Sequence, residues 1–323
     1  MSAPPRTSER PRASRPAERP AQSRHPAEHV QEHLLERRHA RLVRGRRRLA
    51  GATIVLGVAV GLVVSVAVDG EDGASVGPLP RLDAAPRAEP PPPPAVPAPD
   101  RFAAAASYAR ARTGNASLAV VDTRGRSRGL DARREYASAS VLKAMILVAY
   151  LDRTARRGEP LTGSARSQLE GMIRRSENAP ANRLVQVVGT DGLRAVARRA
   201  GMRGFTPLVA PWGLSRITAQ DQARFFLEID ELIPGRYRAY ARGLLTTIIP
   251  EQRWGVPQAA RDRFTVLFKG GWLPTGDRGW SVHQVAKLES DRGPLSIAVL
   301  SDGNPSRAYG IETVRGVAER LLR

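Results

Sequence analysis

The chain has 323 residues, 41% of them apolar, enough to bury a core in one or two domains, and a formal net charge of +20. It contains no cysteine, which excludes disulfides, thiolate nucleophiles and Cys-ligated metals. The basic excess comes without a nucleic-acid-binding motif or interleaved basic and aromatic residues, so it reads as a solvated arginine surface suited to anionic envelope polymers and lipids, with no nucleic-acid partner. Only three of the 51 basic residues are lysine, Lys143, Lys269 and Lys287. Where charge alone is needed this chain uses arginine, so each lysine asks for a reason; a lysine amine can shed its proton on burial near other cations.

Residues 1–48 hold 13 arginines against five glutamates with frequent proline, the composition of a disordered basic tail with a helical pattern only around His29 to Arg48. His25, His29 and His33 are spaced for one helical face, but Pro26 interrupts it, and no metal site is expected. Residues 49–68 (LAGATIVLGVAVGLVVSVAV) are free of charge and proline and, at about 1.5 Å per residue, long enough to cross a hydrocarbon core of ~30 Å as a transmembrane helix. Seven arginines lie between Arg37 and Arg48, whereas Asp69, Glu71 and Asp72 follow the span. That asymmetry keeps the N-terminus cytosolic and exports the remainder, giving a single-pass signal anchor in the cell membrane. A cleaved signal peptide, with Ser65 and Ala67 before the cut and a secreted product, is the competing reading; the apolar run is long for it. Residues 69–100 are rich in Gly, Ala and Pro, and Pro90 to Pro94 make a stiff, extended linker.

Regular patterning occupies residues 101–323. A helix is predicted over 102–113, closed by Gly114, then a strand pair at 117–122 and 127–131 around the turn at Arg124-Gly125. A long apolar helix runs from Ser140 to the stop at Gly158, and shorter helical patterns continue to about Leu245. Strands return at 264–269, 280–288 and 295–301, and a helix over 309–322 ends the chain. Strands at both ends with helices between them predict an α+β domain of three-layer α/β/α type, in which an antiparallel sheet built by both ends lies beside a helical lobe.

Three short constellations carry chemistry. Ser140-Val141-Leu142-Lys143 places a hydroxyl and an amine one helical turn apart on a helix whose run Ala144 to Tyr150 is apolar. Burial favours the neutral amine, which can take the serine proton, while the helix start offers N–H groups to an oxyanion. The alternative is an N-cap serine with a surface lysine. Ser176-Glu177-Asn178 sits in a turn between helical patterns, where the hydroxyl can relay a proton and the amide can hold a carbonyl; alone it is ordinary helix-cap chemistry. Lys269-Gly270-Gly271-Trp272 ends a strand, its glycines admitting a substrate backbone and its lysine offering charge to a carboxylate and lowering the pKa of Lys143. By composition the three together arise by chance on the order of once in a thousand such chains, before order is considered.

In that order, SVLK, SEN and KGG resemble the Ser-x-x-Lys, Ser-x-Asn and Lys-Thr-Gly signature of class A β-lactamases and penicillin-binding proteins. ASASVLK and RRSENAPANRL resemble the surroundings of the first two motifs, and the likeness runs over residues 101–323. It implies Ser140 as acylated nucleophile, Lys143 as general base and Ser176 as proton relay. Asn178, Lys269, Gly270 and Gly271 would bind substrate, and the N–H groups of Ser140 and Trp272 would form the oxyanion hole. No cofactor or metal is implied, and the partner is a β-lactam or a peptidoglycan-like amide. Two departures matter. The family's β-lactamases carry, after the second motif, a glutamate that activates the deacylating water, but Phe205 to Thr218 (FTPLVAPWGLSRIT) has no acid, which implies slow deacylation of β-lactams; Gly270 removes a hydroxyl. The expectation is therefore a membrane-tethered serine hydrolase, with a true class A-like β-lactamase or a catalytically weak peptidoglycan-binding module as alternatives. A Ser-His-Asp triad is disfavoured because four of the five histidines lie in the tail; His283 and Trp254 are read as structural.

Overall fold

The computed structural model describes residues 97–323. The predicted tail (1–48), membrane span (49–68) and most of the linker lie outside the described residues. Among the described residues no helix is long and apolar enough to cross a membrane. The linker's last two residues are already helical: α1 spans Pro99–Arg110, started by a proline in its first turn, where a missing N–H costs nothing.

Two strands follow, β1 (Asn115–Asp122) and β2 (Ser127–Leu130), close to their predicted places. A short β3 (Glu135–Ala137) was not predicted. The apolar helix divides in two, a correction to the prediction: Ala139–Val141 form a 3₁₀ turn and α2 proper begins at Leu142 and ends at Arg156. Helices α3 (Gly163–Arg174) and α4 (Asn178–Arg199) come next. The Thr162 side chain accepts from the Ala165 N–H and so starts α3, while Gly189, with φ of 68°, interrupts α4.

A 3₁₀ turn at Trp212–Leu214 leads into β4 (Arg216–Thr218), then α5 (Ala219–Leu227), α6 (Ile229–Leu232), α7 (Gly235–Thr246) and α8 (Val256–Ala260). The C-terminal strands are longer than predicted: β5 (Thr265–Pro274) continues through both glycines, and β6 (Trp280–Ser290) and β7 (Gly293–Asn304) follow as hairpins. Helix α9 (Arg307–Leu322), capped by the Ser306 hydroxyl on Tyr309 N–H, ends the chain.

The sheet order is β2-β1-β7-β6-β5, with every pairing antiparallel. Both ends of the domain thus meet at the β1–β7 pair, as predicted. α1 and α9 cover one face and α5 the other, which makes three layers. Strands β3 and β4 form a separate two-stranded ladder beside the 3₁₀ turn of Ser140. In the helical lobe α2 packs against α4. Every residue from Leu142 to Ala149 is buried, so α2 is apolar on all sides because it is the centre of that lobe.

The third lysine belongs to this framework. Lys287, on β6, contacts the Asp230 and Glu289 carboxylates, and Arg242 on α7 donates to Asp230 Oδ2 at 2.7 Å and to Glu289 Oε1 at 3.1 Å. Burial would raise the Asp230 carboxyl, but the hydrogen bonds from Lys287 and Arg242 outweigh it and hold the group below the usual carboxylate range.

Candidate active site

Three elements bring the candidate residues to one groove. The 3₁₀ turn presents Ser140, half-buried, after Ala139, whose φ is 46°. The turn between α3 and α4 presents Ser176 with φ of 57°. For residues with a Cβ this left-handed backbone costs about 1–2 kcal/mol each; of the four such residues described, Ala139 and Ser176 fall at the motifs, and Asp131 and Arg261 lie outside them. Edge strand β5 supplies Lys269 and the two glycines.

Gly271 must be glycine. A Cβ there would stand 2.7 Å from Ser140 N and 2.8 Å from Val141 N, so β5 lies directly on the backbone of the Ser140 turn. Trp272 follows at once on the same strand. Gly270 faces the Trp254 ring, which a Cβ would meet at 3.0 Å. Trp254 is buried and its ring centroid lies 6.5 Å from that of Trp272. The absent hydroxyl at position 270 therefore has a steric cause: an indole fills the space beside that residue.

The two lysines converge on Ser176. Lys143 Nζ donates to Ser176 O at 2.5 Å, to Ser176 Oγ at 3.2 Å and to Asn178 Oδ1 at 2.9 Å. Lys269 Nζ donates to the same Ser176 Oγ at 3.0 Å and to Gly270 O at 2.9 Å. Both lysine side chains are wholly buried. Desolvation first, and then the neighbouring Lys269 charge, push the Lys143 amine well below the usual lysine range; exposed Glu177 opposes this weakly, being paired with Arg175. Burial likewise lowers Lys269 to about 7. Among the described residues the Lys143 amine points to Ser176 and Asn178 and makes no hydrogen bond to Ser140. The predicted Ser140–Lys143 pair is therefore adjacent in sequence and turn, with the amine held by the relay turn.

Sequence reasoning missed Trp212. Its ring centroid lies 5.1 Å from Lys143 Nζ, and its Nε1 donates to Asn182 Oδ1 at 2.6 Å. The loop that lacks the family's glutamate thus sets an indole against the Lys143 amine. Nothing in FTPLVAPWGLSRIT announces this, because it depends on the loop's path back to Ser138, whose hydroxyl lies 3.4 Å from Trp212 O. The structural reading of His283 holds: the ring is fully buried, accepts from Ser301 N–H on Nδ1 at 3.2 Å, and so carries its proton on Nε2, which donates to Ala137 O at 2.9 Å. Burial lowers it to about 4, and it stays neutral. Among the described residues no group of three or more His, Asp or Glu is placed to hold a metal ion.

The Ser140 turn, the Ser176 turn and a lysine-bearing edge strand sit on a five-stranded antiparallel sheet with a helical lobe, the class A β-lactamase-like fold. The solved structures agree. A class A β-lactamase from Bacteroides cellulosilyticus is 13% identical with a TM-score of 0.61, covering 69% of this chain and 96% of its own. A β-lactamase from Xanthomonas campestris is 14% identical with a TM-score of 0.60, covering 69% and 96%. One from Sphaerobacter thermophilus is 18% identical with a TM-score of 0.57, covering 68% and 94%. At these identities the likeness speaks for the fold. No curated protein matches the chain. The model of the beta-lactamase enzyme family matches residues 156–323, just over half of the sequence, and the chain belongs to that family. The match includes Ser176, Asn178 and Lys269 to Trp272. Ser140 and Lys143 precede it and are tied to the site by geometry.

Proposed function

We propose that this protein is a serine acyl-enzyme hydrolase that attacks a β-lactam or a cell-wall peptide amide through Ser140 and releases the acyl group slowly from β-lactams. The observation that carries the reading is Ser176 Oγ held between the Lys143 and Lys269 amines, 3.2 and 3.0 Å away, beside a serine backbone on which Gly271 lies. Ser140 Oγ adds to the carbonyl and gives its proton to the neutral Lys143 amine, for which the amine must swing from its resting partners. The N–H groups of Ser140 and Trp272 face the oxyanion. As the C–N bond breaks, Ser176 Oγ gives its proton to the leaving nitrogen and takes in exchange the proton that Lys143 received from Ser140, which returns the amine to its neutral form. Asn178 holds the substrate amide, and Lys269, in its charged form, a substrate carboxylate.

Release needs a water with a base. The flank of Lys143 carries the Trp212 indole, and Phe205 to Thr218 contains no acid, which supports a long-lived acyl-enzyme over rapid turnover. The resting position of the Lys143 amine favours one other reading, a weakly catalytic module that holds peptidoglycan in the same groove. Exposure to a labelled penicillin separates the two: one adduct per chain on Ser140, absent from Ser140→Ala, supports the hydrolase, and an unlabelled protein that still binds peptidoglycan supports the module. The location proposed from the sequence is a membrane anchor at residues 49–68 with the domain outside. Protease added to intact cells should then remove the domain, and a domain that stays protected would contradict this placement.

A further inference from the structure

Strand β5 runs past the nucleophile turn into a second cavity of about 520 Å³ whose wall includes Leu273 and Ala137. Leu273 is two residues beyond Gly271, roughly 7 Å along the strand. Lys269 lies on the opposite side of Gly271, so the cavity is at the far end of the groove from the lysine pair. Three arginines line it: Arg134 from the approach to β3, Arg216 from β4 and Arg278 from the β5–β6 connection. One carboxylate, Asp302, also lines it; it accepts from Asn115 Nδ2 at 2.8 Å and stands 3.7 Å from Arg134. The Arg216 and Arg278 guanidinium groups make no hydrogen bond or ion pair with any described residue. The lining charge is three positive against one negative. Three exposed arginines from separate elements on the wall of one hollow offer fork-shaped donors that suit a planar or tetrahedral oxyanion.

We infer that this cavity is a subsite for an anionic group, carboxylate or phosphate, carried on the acyl arm of the substrate. This rests on the reading of Ser140 as the acyl acceptor. With the scissile carbonyl at Ser140 and one anion at Lys269, the acyl arm extends along β5 past Trp272 and meets the arginines. The substrate class is then an amide or lactam with negative groups on both sides of the bond to be broken.

Three penicillins test it, made by attaching a hexanoyl, an adipoyl or a 5-phosphonopentanoyl chain to 6-aminopenicillanic acid, so that only the terminal group changes. Binding is measured calorimetrically on Ser140→Ala, where no acylation intervenes, and labelling is followed separately by intact mass on the wild-type protein. The anionic arms should bind about tenfold more tightly than hexanoyl, with the ratio shrinking as salt rises and falling to near one in Arg216→Gln/Arg278→Gln. Equal binding of all three, or a ratio that survives the double substitution, overturns the subsite. A preference for adipoyl identifies a carboxylate-bearing arm as the source, and a preference for the phosphonate a phosphate-bearing one. Preferential binding without any label on the wild type would keep the subsite and overturn the hydrolase reading; label at equal affinity would do the reverse.

Discussion

The two buried lysines give the site its chemistry and its cost. Lys269 is wholly buried and lowered to about 7, against about 10.4 in an unfolded chain. Between those values the unfolded chain binds more protons than the folded one, so this group makes stability rise with pH from about 7 to about 10; below about 7 it is protonated in both states and contributes no pH dependence. Lys269→Met removes the buried charge, so its melting temperature should exceed the wild type's most at pH 6, with the difference closing towards pH 10, while acylation by a penicillin falls at least 100-fold. A variant less stable than the wild type at pH 6 would contradict the burial argument. Trp212 acts on the next step. Trp212→Ala opens the flank of Lys143 to water and should shorten the acyl-enzyme lifetime about tenfold, measured by decay of the adduct mass; an unchanged lifetime would remove Trp212 from the account of slow release. Lys143, Ser176, Asn178 and Lys269 were legible from residue type and order, because a scarce lysine beside serine or paired glycines is a chemical signal. Trp212 was not, since aromatic residues serve cores and sites alike and only the loop's path distinguishes them.

Among the elements, the contact of β5 with the nucleophile turn decides whether the groove exists. Gly271→Ala places a methyl 2.7 Å from Ser140 N, against backbone that has nowhere to retreat. It should destabilise the domain by about 1–3 kcal/mol in chemical denaturation and abolish Ser140 labelling. Wild-type stability with normal labelling would show that the strand and turn are farther apart than described. The strands and the closing helix could be read from patterning and turn glycines, and the antiparallel sheet followed from strands at both ends. The start of α2 was misplaced because Ala139, Ser140 and Val141 have no residue that forbids a helix; the 3₁₀ turn is imposed by Ala139 at φ of 46° and by β5 pressing on it. The small β3–β4 ladder escaped for a related reason. Three-residue strands carry too little alternation to read, and their pairing is fixed by a tertiary neighbour, His283, whose Nε2 donates to Ala137 O.

For the molecule as a whole, edge strand β5 carries Lys269, beside Lys143 of α2, on one side of the Ser140 turn and reaches an arginine-lined cavity on the other. On the proposed reading, positive charge at both ends of the groove would draw an anionic substrate to it. The central claim is that Lys143, its amine held well below the usual lysine range by burial and by the Lys269 charge, serves as the base while Lys269, lowered to about 7, supplies charge to the substrate. The rate of Ser140 acylation by benzylpenicillin, followed by intact mass between pH 5 and pH 10, tests it most directly. The account predicts a rate already high at neutral pH that declines as Lys269 discharges above about 7. A rate that climbs steadily to pH 10, the behaviour of a base with an ordinary lysine pKa, or an adduct on any residue other than Ser140, would contradict it.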